Sequence, residues 1–85
     1  MYQAIQTKFF GPSNVRGARV KAIADAGSIT LHWNHALGVE GNHAATAHAL
    51  ASKLNWDGRW VGGGMKDHGY CFVLAGDESA FHVAP

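Results

Sequence analysis

Six histidines and a single cysteine are the side chains of this 85-residue chain best suited to hold a metal or activate a nucleophile. The densest group is His32-Trp33-Asn34-His35, with His43, His48, His68 and Cys71 as further donors. Structural zinc takes two closely spaced ligand pairs, and a catalytic zinc helix carries two histidines one turn apart with a glutamate between. Neither pattern occurs. His43 and His48 are five positions apart, about 140° around a helix, so they cannot share one face. The sequence therefore predicts neither a metal site nor a cofactor. Cys71 would attack only as a thiolate, which needs a base or cation beside it. It lies instead in the apolar run Tyr70-Cys71-Phe72-Val73-Leu74, where a thiol behaves as a small hydrophobe. No serine sits in a nucleophile elbow, the six carboxylates are scattered, and Gly62-Gly63-Gly64 lacks the Gly-Lys-Ser/Thr ending of a phosphate loop. A non-enzymatic protein is expected.

Charge points elsewhere. The first acidic residue is Asp25, and the charged residues before it are all basic: Lys8, Arg16, Arg19 and Lys21. The loop Gly11-Pro12-Ser13-Asn14-Val15-Arg16-Gly17 adds hydrogen-bonding groups to this segment. Arginine can also pair twice with a carboxylate or phosphate in a way lysine cannot. Lys8, Asn14, Arg16, Arg19 and Lys21 are thus the expected partner-binding residues. A basic segment in a chain of net charge +1 suits an acidic protein patch, with nucleic acid as the alternative.

Size and composition narrow the class. With 85 residues the chain can build one core, and with 47% apolar and 15% charged residues it belongs with globular domains rather than disordered tails. One cysteine cannot form an internal disulfide, which fits a reducing cytoplasm. Neither a signal peptide nor an apolar run of the ~20 residues needed to span a membrane stands in the sequence.

These cations need elements to hold them. Residues 2–10 partly alternate, with Ile5 and Phe9 on the face expected to meet the core and Lys8 on the other; Gly11 and Pro12 end the strand. Residues 18–24 alternate cleanly, placing Val20 and Ala22 on one side and Arg19, Lys21 and Ile23 on the other. Asp25-Ala26-Gly27-Ser28 reads as a hairpin turn relying on a positive φ at Gly27, and Ile29, Leu31 and Trp33 form one face of a third strand. Asn42 reads as the N-cap of a helix to about Asn55, with an apolar stripe of Ala44, Ala47, Leu50, Ala51 and Leu54. Arg59-Trp60-Val61 reads as a short strand, and residues 70–74 as a buried one. Trp56 and Trp60 suit a lid over the helix end. The expectation is an α+β fold: an antiparallel sheet of four to five strands in the order β-β-β-α-β-β, with one helix on one face. Residues 1–75 would form the single domain and residues 76–85 a C-terminal tail.

Several stretches carry a resemblance that covers residues 2–75. Tyr2-Gln3-Ala4-Ile5-Gln6-Thr7-Lys8-Phe9, Pro12-Ser13-Asn14-Val15-Arg16-Gly17-Ala18-Arg19-Val20-Lys21-Ala22, Ala26-Gly27-Ser28-Ile29-Thr30 and Trp60-Val61-Gly62-Gly63-Gly64 resemble small uncharacterised proteins of bacteriophages and other mobile elements. Small phage proteins without catalytic motifs resemble inhibitors of host defence, anti-CRISPR proteins among them. The resemblance implies a protein that acts in the host cytoplasm by occupying a surface of a host protein complex, such as a CRISPR effector.

Overall fold

The computed structural model describes residues 3–13 and 17–75. Three strands come first, β1 (Ile5–Phe10), β2 (Arg19–Ala24) and β3 (Gly27–His32), followed by the helix α1 (Val39–Lys53) and the strands β4 (Trp60–Gly64) and β5 (Tyr70–Leu74). The strands form one antiparallel sheet in the order β3-β2-β1-β5-β4, and α1 lies across β1, β2 and β3. This is the α+β arrangement that the strand and helix periods predict, with five strands. Asn14, Arg16 and the C-terminal segment 76–85 lie outside the described residues. Among the described residues no helix is long and apolar enough to cross a membrane.

Alternation decides which side of each strand is covered. Ile5 and Thr7 of β1 and Val20 and Ala22 of β2 are buried under the helix, which contributes Ala47, Leu50 and Ala51 to the core. The alanines of both layers let helix and sheet approach closely, so Ile5 and Leu50 lose all contact with water. Ile29, Leu54, Trp56, Trp60 and Phe72 close the margins of this cluster.

The helix begins earlier than its sequence signals suggest. Gly38 occupies the N-cap without a side-chain bond, and Asn42 lies within the first turn. The buried Asn42 amide serves the connector instead. Its Nδ2 donates to the carbonyls of Asn34, Leu37 and Gly38 at 3.0–3.2 Å, and its Oδ1 accepts from the Asn34 amide at 2.8 Å. One asparagine thus satisfies the loop that leads into the helix. At the other end Asn55 takes φ 59°, while the Trp56 amide donates to Ala51 O at 2.8 Å and the Asn55 amide to Ser52 O at 3.2 Å. That pair of bonds is a Schellman stop, with asparagine in the left-handed position commonly held by glycine. It swings Trp56 back onto the helix, where it stacks on Trp60 at 6.1 Å as the lid that the sequence suggests.

Other local expectations are corrected. The β2–β3 turn is Asp25-Ala26, with Gly27 paired to Ala24 as a strand residue, and Gly27 has no positive φ. Neither Asp25 nor Ala26 takes a positive φ, so the hairpin closes without a left-handed residue. The three glycines at 62–64 belong to β4, where a Cβ on Gly62 would lie 2.4 Å from the Phe72 ring. The aromatic side chain occupies the space that the glycine leaves. Residues 70–74 are half-buried rather than enclosed, because the helix stops short of β5 and β4. Ala44 is exposed, and the inward side of α1 carries Asn42, His43 and Thr46 in addition to apolar residues. Phe9 faces the helix side but lies beyond the core, 49% exposed, against the edge of Trp33 at 5.2 Å.

Candidate binding face

With the helix on one side, the opposite side of the sheet is bare among the described residues. Strand register determines what lies on it. Lys8 stands directly across from Lys21, Phe10 across from Arg19, and Gln6 across from Ile23. On the next strand Thr30, His32 and Ser28 face Lys21, Arg19 and Ile23 respectively. Gln6 also pairs with Cys71, and Val61 with Val73, so this side continues across β5 and β4. The bare face therefore has a cationic end at Lys8, Arg19 and Lys21 and an apolar end at Ile23, Val61 and Val73.

Three of the five residues expected from the sequence, Lys8, Arg19 and Lys21, thus share one surface. Asn14 and Arg16 lie outside the described residues.

Two features of the cationic end carry chemistry. Lys8 and Lys21 are like charges at directly paired positions, an arrangement that destabilises an antiparallel ladder. The Arg19 guanidinium lies 5.1 Å from the centroid of the Phe10 ring, and its Nη1 is shielded from water with no hydrogen-bond partner among the described residues. At that distance the ring attracts the cation by a cation–π contact. A guanidinium restrained by such a contact loses less side-chain entropy when it pairs with an anion. This anchor was missed from sequence, although alternation places Phe10 on the Lys8 side of β1. Finding it required the β1–β2 register, which crosses a loop whose length and shape leave several pairings open.

Of the apolar residues on this face, alternation in the sequence places Ile23 but does not bring Val61 and Val73 beside it. Phe10, Ile23, Val61 and Val73 are 37–42% exposed on the bare side. Cys71 is partly exposed there next to Gln6, not enclosed as the apolar composition of its strand suggests.

The histidines divide differently. His43 is buried on the opposite, helix-covered side, with Nδ1 2.7 Å from the Thr7 hydroxyl, while His48 is exposed on the helix. Burial holds the His43 pKa below its ordinary 6.5. Among the described residues no three His, Cys, Asp or Glu side chains come together as a metal cage would require. No protein-family model matches the chain, and neither does any curated protein or solved structure.

Proposed function

We propose that the protein is a non-enzymatic binding module whose bare sheet face docks onto an acidic surface of a partner protein. The observation that carries this reading is the coexistence, on one face that no described residue covers, of like-charged Lys8 and Lys21, Arg19 beside the Phe10 ring and the exposed aliphatic residues Ile23, Val61 and Val73. Cations alone would suit a phosphate backbone as well. The aliphatic end has nothing to contact on phosphates, whereas a protein interface commonly joins an apolar centre to a charged rim. Arg19 and Phe10 have the character of an interface anchor, and the lysines would accelerate association and select an acidic partner. A complex of a bacterial defence system, which the phage-protein resemblance implies, is the first partner class to examine.

The test uses the full chain and a variant in which Lys8, Arg19 and Lys21 are all replaced by Ala. Affinity capture from bacterial lysate should recover a protein complex with the wild type and lose it with the variant, the variant melting no lower than the wild type. Anisotropy titrations with DNA and RNA oligonucleotides at low salt should show no binding. Tight oligonucleotide binding whose logarithm falls linearly with log salt would establish the nucleic-acid alternative and overturn this reading. Equal capture by both proteins would show the cationic end to be idle surface.

A further inference from the structure

The two edges of the sheet are finished differently. In an antiparallel ladder alternate residues turn their N–H and C=O toward the neighbouring strand, and the residues between turn theirs away. On β3, whose neighbour is β2, the Trp33 amide donates to Ala18 O just beyond the Arg19–His32 pair, so the outward-turned groups belong to Ser28, Thr30 and His32. Lys53, at the end of α1, donates its Nζ to Ser28 O at 3.2 Å. A lysine laid on an edge strand is a common obstacle to further pairing.

Among the described residues β4 meets no such obstacle. The Ala75 amide donates to Arg59 O and the Met65 amide to Gly69 O, which places Val61 and Gly63 in bonded pairs with Val73 and Cys71. The backbone groups of Trp60, Gly62 and Gly64 therefore point away from the sheet, and among the described residues nothing hydrogen-bonds them. The strand pairs with β5 without a bulge and contains neither proline nor a charged residue. An edge of this kind is a template for one more strand.

We propose that the added strand is β4 of a second copy, paired antiparallel about a two-fold axis with Gly62 opposite its own counterpart. In that register Trp60 meets the second copy's Gly64, Gly62 meets Gly62 and Gly64 meets Trp60, each pair exchanging two backbone bonds, whereas a slip of two residues loses a pair. The side chains agree with it. A Cβ at Gly63 or Gly64 would meet nothing within 4 Å, so Trp60 and Val61 each face an open glycine across the new ladder and no two bulky residues collide. With no charge on β4, self-pairing sets no like charges opposite each other. Use of one edge by both copies closes the assembly at two, and Lys53 on β3 opposes growth from the other edge. Both helices then lie on one side of a sheet with five strands from each copy, and the exposed Val61 and Val73 of the two bare faces come together at its centre. This inference does not depend on the acidic partner.

A strand of 5 residues buries little area, so the dimer is weak, with a Kd of roughly 0.1 mM. Sedimentation equilibrium of the full chain from about 10 µM to about 1 mM should show monomer passing to dimer without larger species. Amide hydrogen exchange over the same range reads the edge itself. The Trp60, Gly62 and Gly64 amides should be unprotected in dilute protein and gain protection with concentration, while those of Val61 and Gly63, bonded to β5, stay protected throughout. Gly64→Pro removes an outward N–H at a site with room for a Cβ, keeps the bonds to β5, and should weaken association about tenfold or more. Should that variant fail to fold, Val61→Lys, which leaves the backbone intact and brings two lysines near each other across the new ladder, should weaken association at low salt and less at high salt. Four results would overturn the proposal: a chain that stays monomeric throughout, association that leaves the three outward amides unprotected, association unchanged in both variants, or protection of those amides already in dilute protein, which would put residues beyond 75 on the edge.

Discussion

Thr7 and Lys8 are neighbours on one strand, and their side chains meet opposite fates. Thr7, turned beneath the helix, is bonded to His43 at 2.7 Å, and its polar neighbours Thr46 and Asn42 are bonded too: Thr46 Oγ1 donates to Asn42 O and the Asn42 amide makes four bonds to the connector. Lys8, turned to the bare side, faces another lysine, while Arg19 two rungs away keeps an Nη1 with no partner among the described residues. Pairing these buried side chains matters on the covered side, because an unmet buried group would cost about 1–3 kcal/mol. The bare side retains a charge arrangement that folding does not favour. Elements that oppose local stability are reasonably sought at functional surfaces, which is why the two sides call for different experiments.

The largest contrast comes from making the same kind of truncation on each side. Leu50→Ala removes a fully buried side chain at the centre of the helix–sheet contact and should lower stability by about 2–5 kcal/mol. Domains of this size commonly have only ~5–10 kcal/mol in total, so chemical denaturation should show a large fall in midpoint. Ile23→Ala deletes a comparable side chain that is more than a third exposed on the bare face. Its loss should be within about 1 kcal/mol, since little area is removed from water by folding there. Similar losses at both positions would mean that the bare face is covered in solution, for example by a second copy.

These two residues also mark where sequence was sufficient. Leu50, Ala47 and Ala51 follow the helical repeat and Val20 and Ala22 the strand repeat, so periodicity alone assigns them to the core. Arg19, Lys21 and Ile23 are placed on the outward side by the same alternation. What the repeat does not encode is pairing across strands. The Lys8–Lys21 opposition and the Arg19–Phe10 contact depend on the β1–β2 register, which is set across the 11–17 loop. His43 was illegible for a related reason. It lies on the inward side of α1, but its role comes from Thr7, 36 residues away on another element, and from Tyr70 beyond both. Asn42 misled because asparagine caps helices and also bridges loops, and only the position of the connector distinguishes the two.

A smaller effect should follow pH. In the folded chain burial holds the His43 pKa below 6.5, its ordinary value when unfolded. The unfolded state therefore binds more protons over the interval between the two values, and stability falls as pH is lowered from 6.5 through that interval. Above pH 6.5 the contribution is fully present. His35 from the connector and His68 from the β4–β5 turn line one cleft with His43, and Tyr70 packs on the ring, so the response must be assigned by subtraction. Thermal melts between pH 8 and 5 should show the acid-side loss in the wild type and a reduced loss in His43→Phe. An identical pH profile in the two proteins would place the titration elsewhere.

The subtlest experiment reverses one charge. Lys21→Glu turns the paired lysines into an opposite pair with Lys8, and cross-strand pairs of that kind contribute roughly 0.2–1 kcal/mol relative to alanines. Most surface substitutions are neutral or harmful, whereas this one should raise the unfolding midpoint slightly, and more at low salt than at high salt. The same change removes a cation from the end of the face assigned to an acidic partner and puts a carboxylate beside Arg19, which would then compete for its guanidinium. Capture of the partner should therefore fall while stability rises. A variant that gains stability and keeps its partner would show that the lysine opposition serves no binding function, and one that loses both would show that Lys21 supports the sheet in a way its register with Lys8 and Thr30 does not explain.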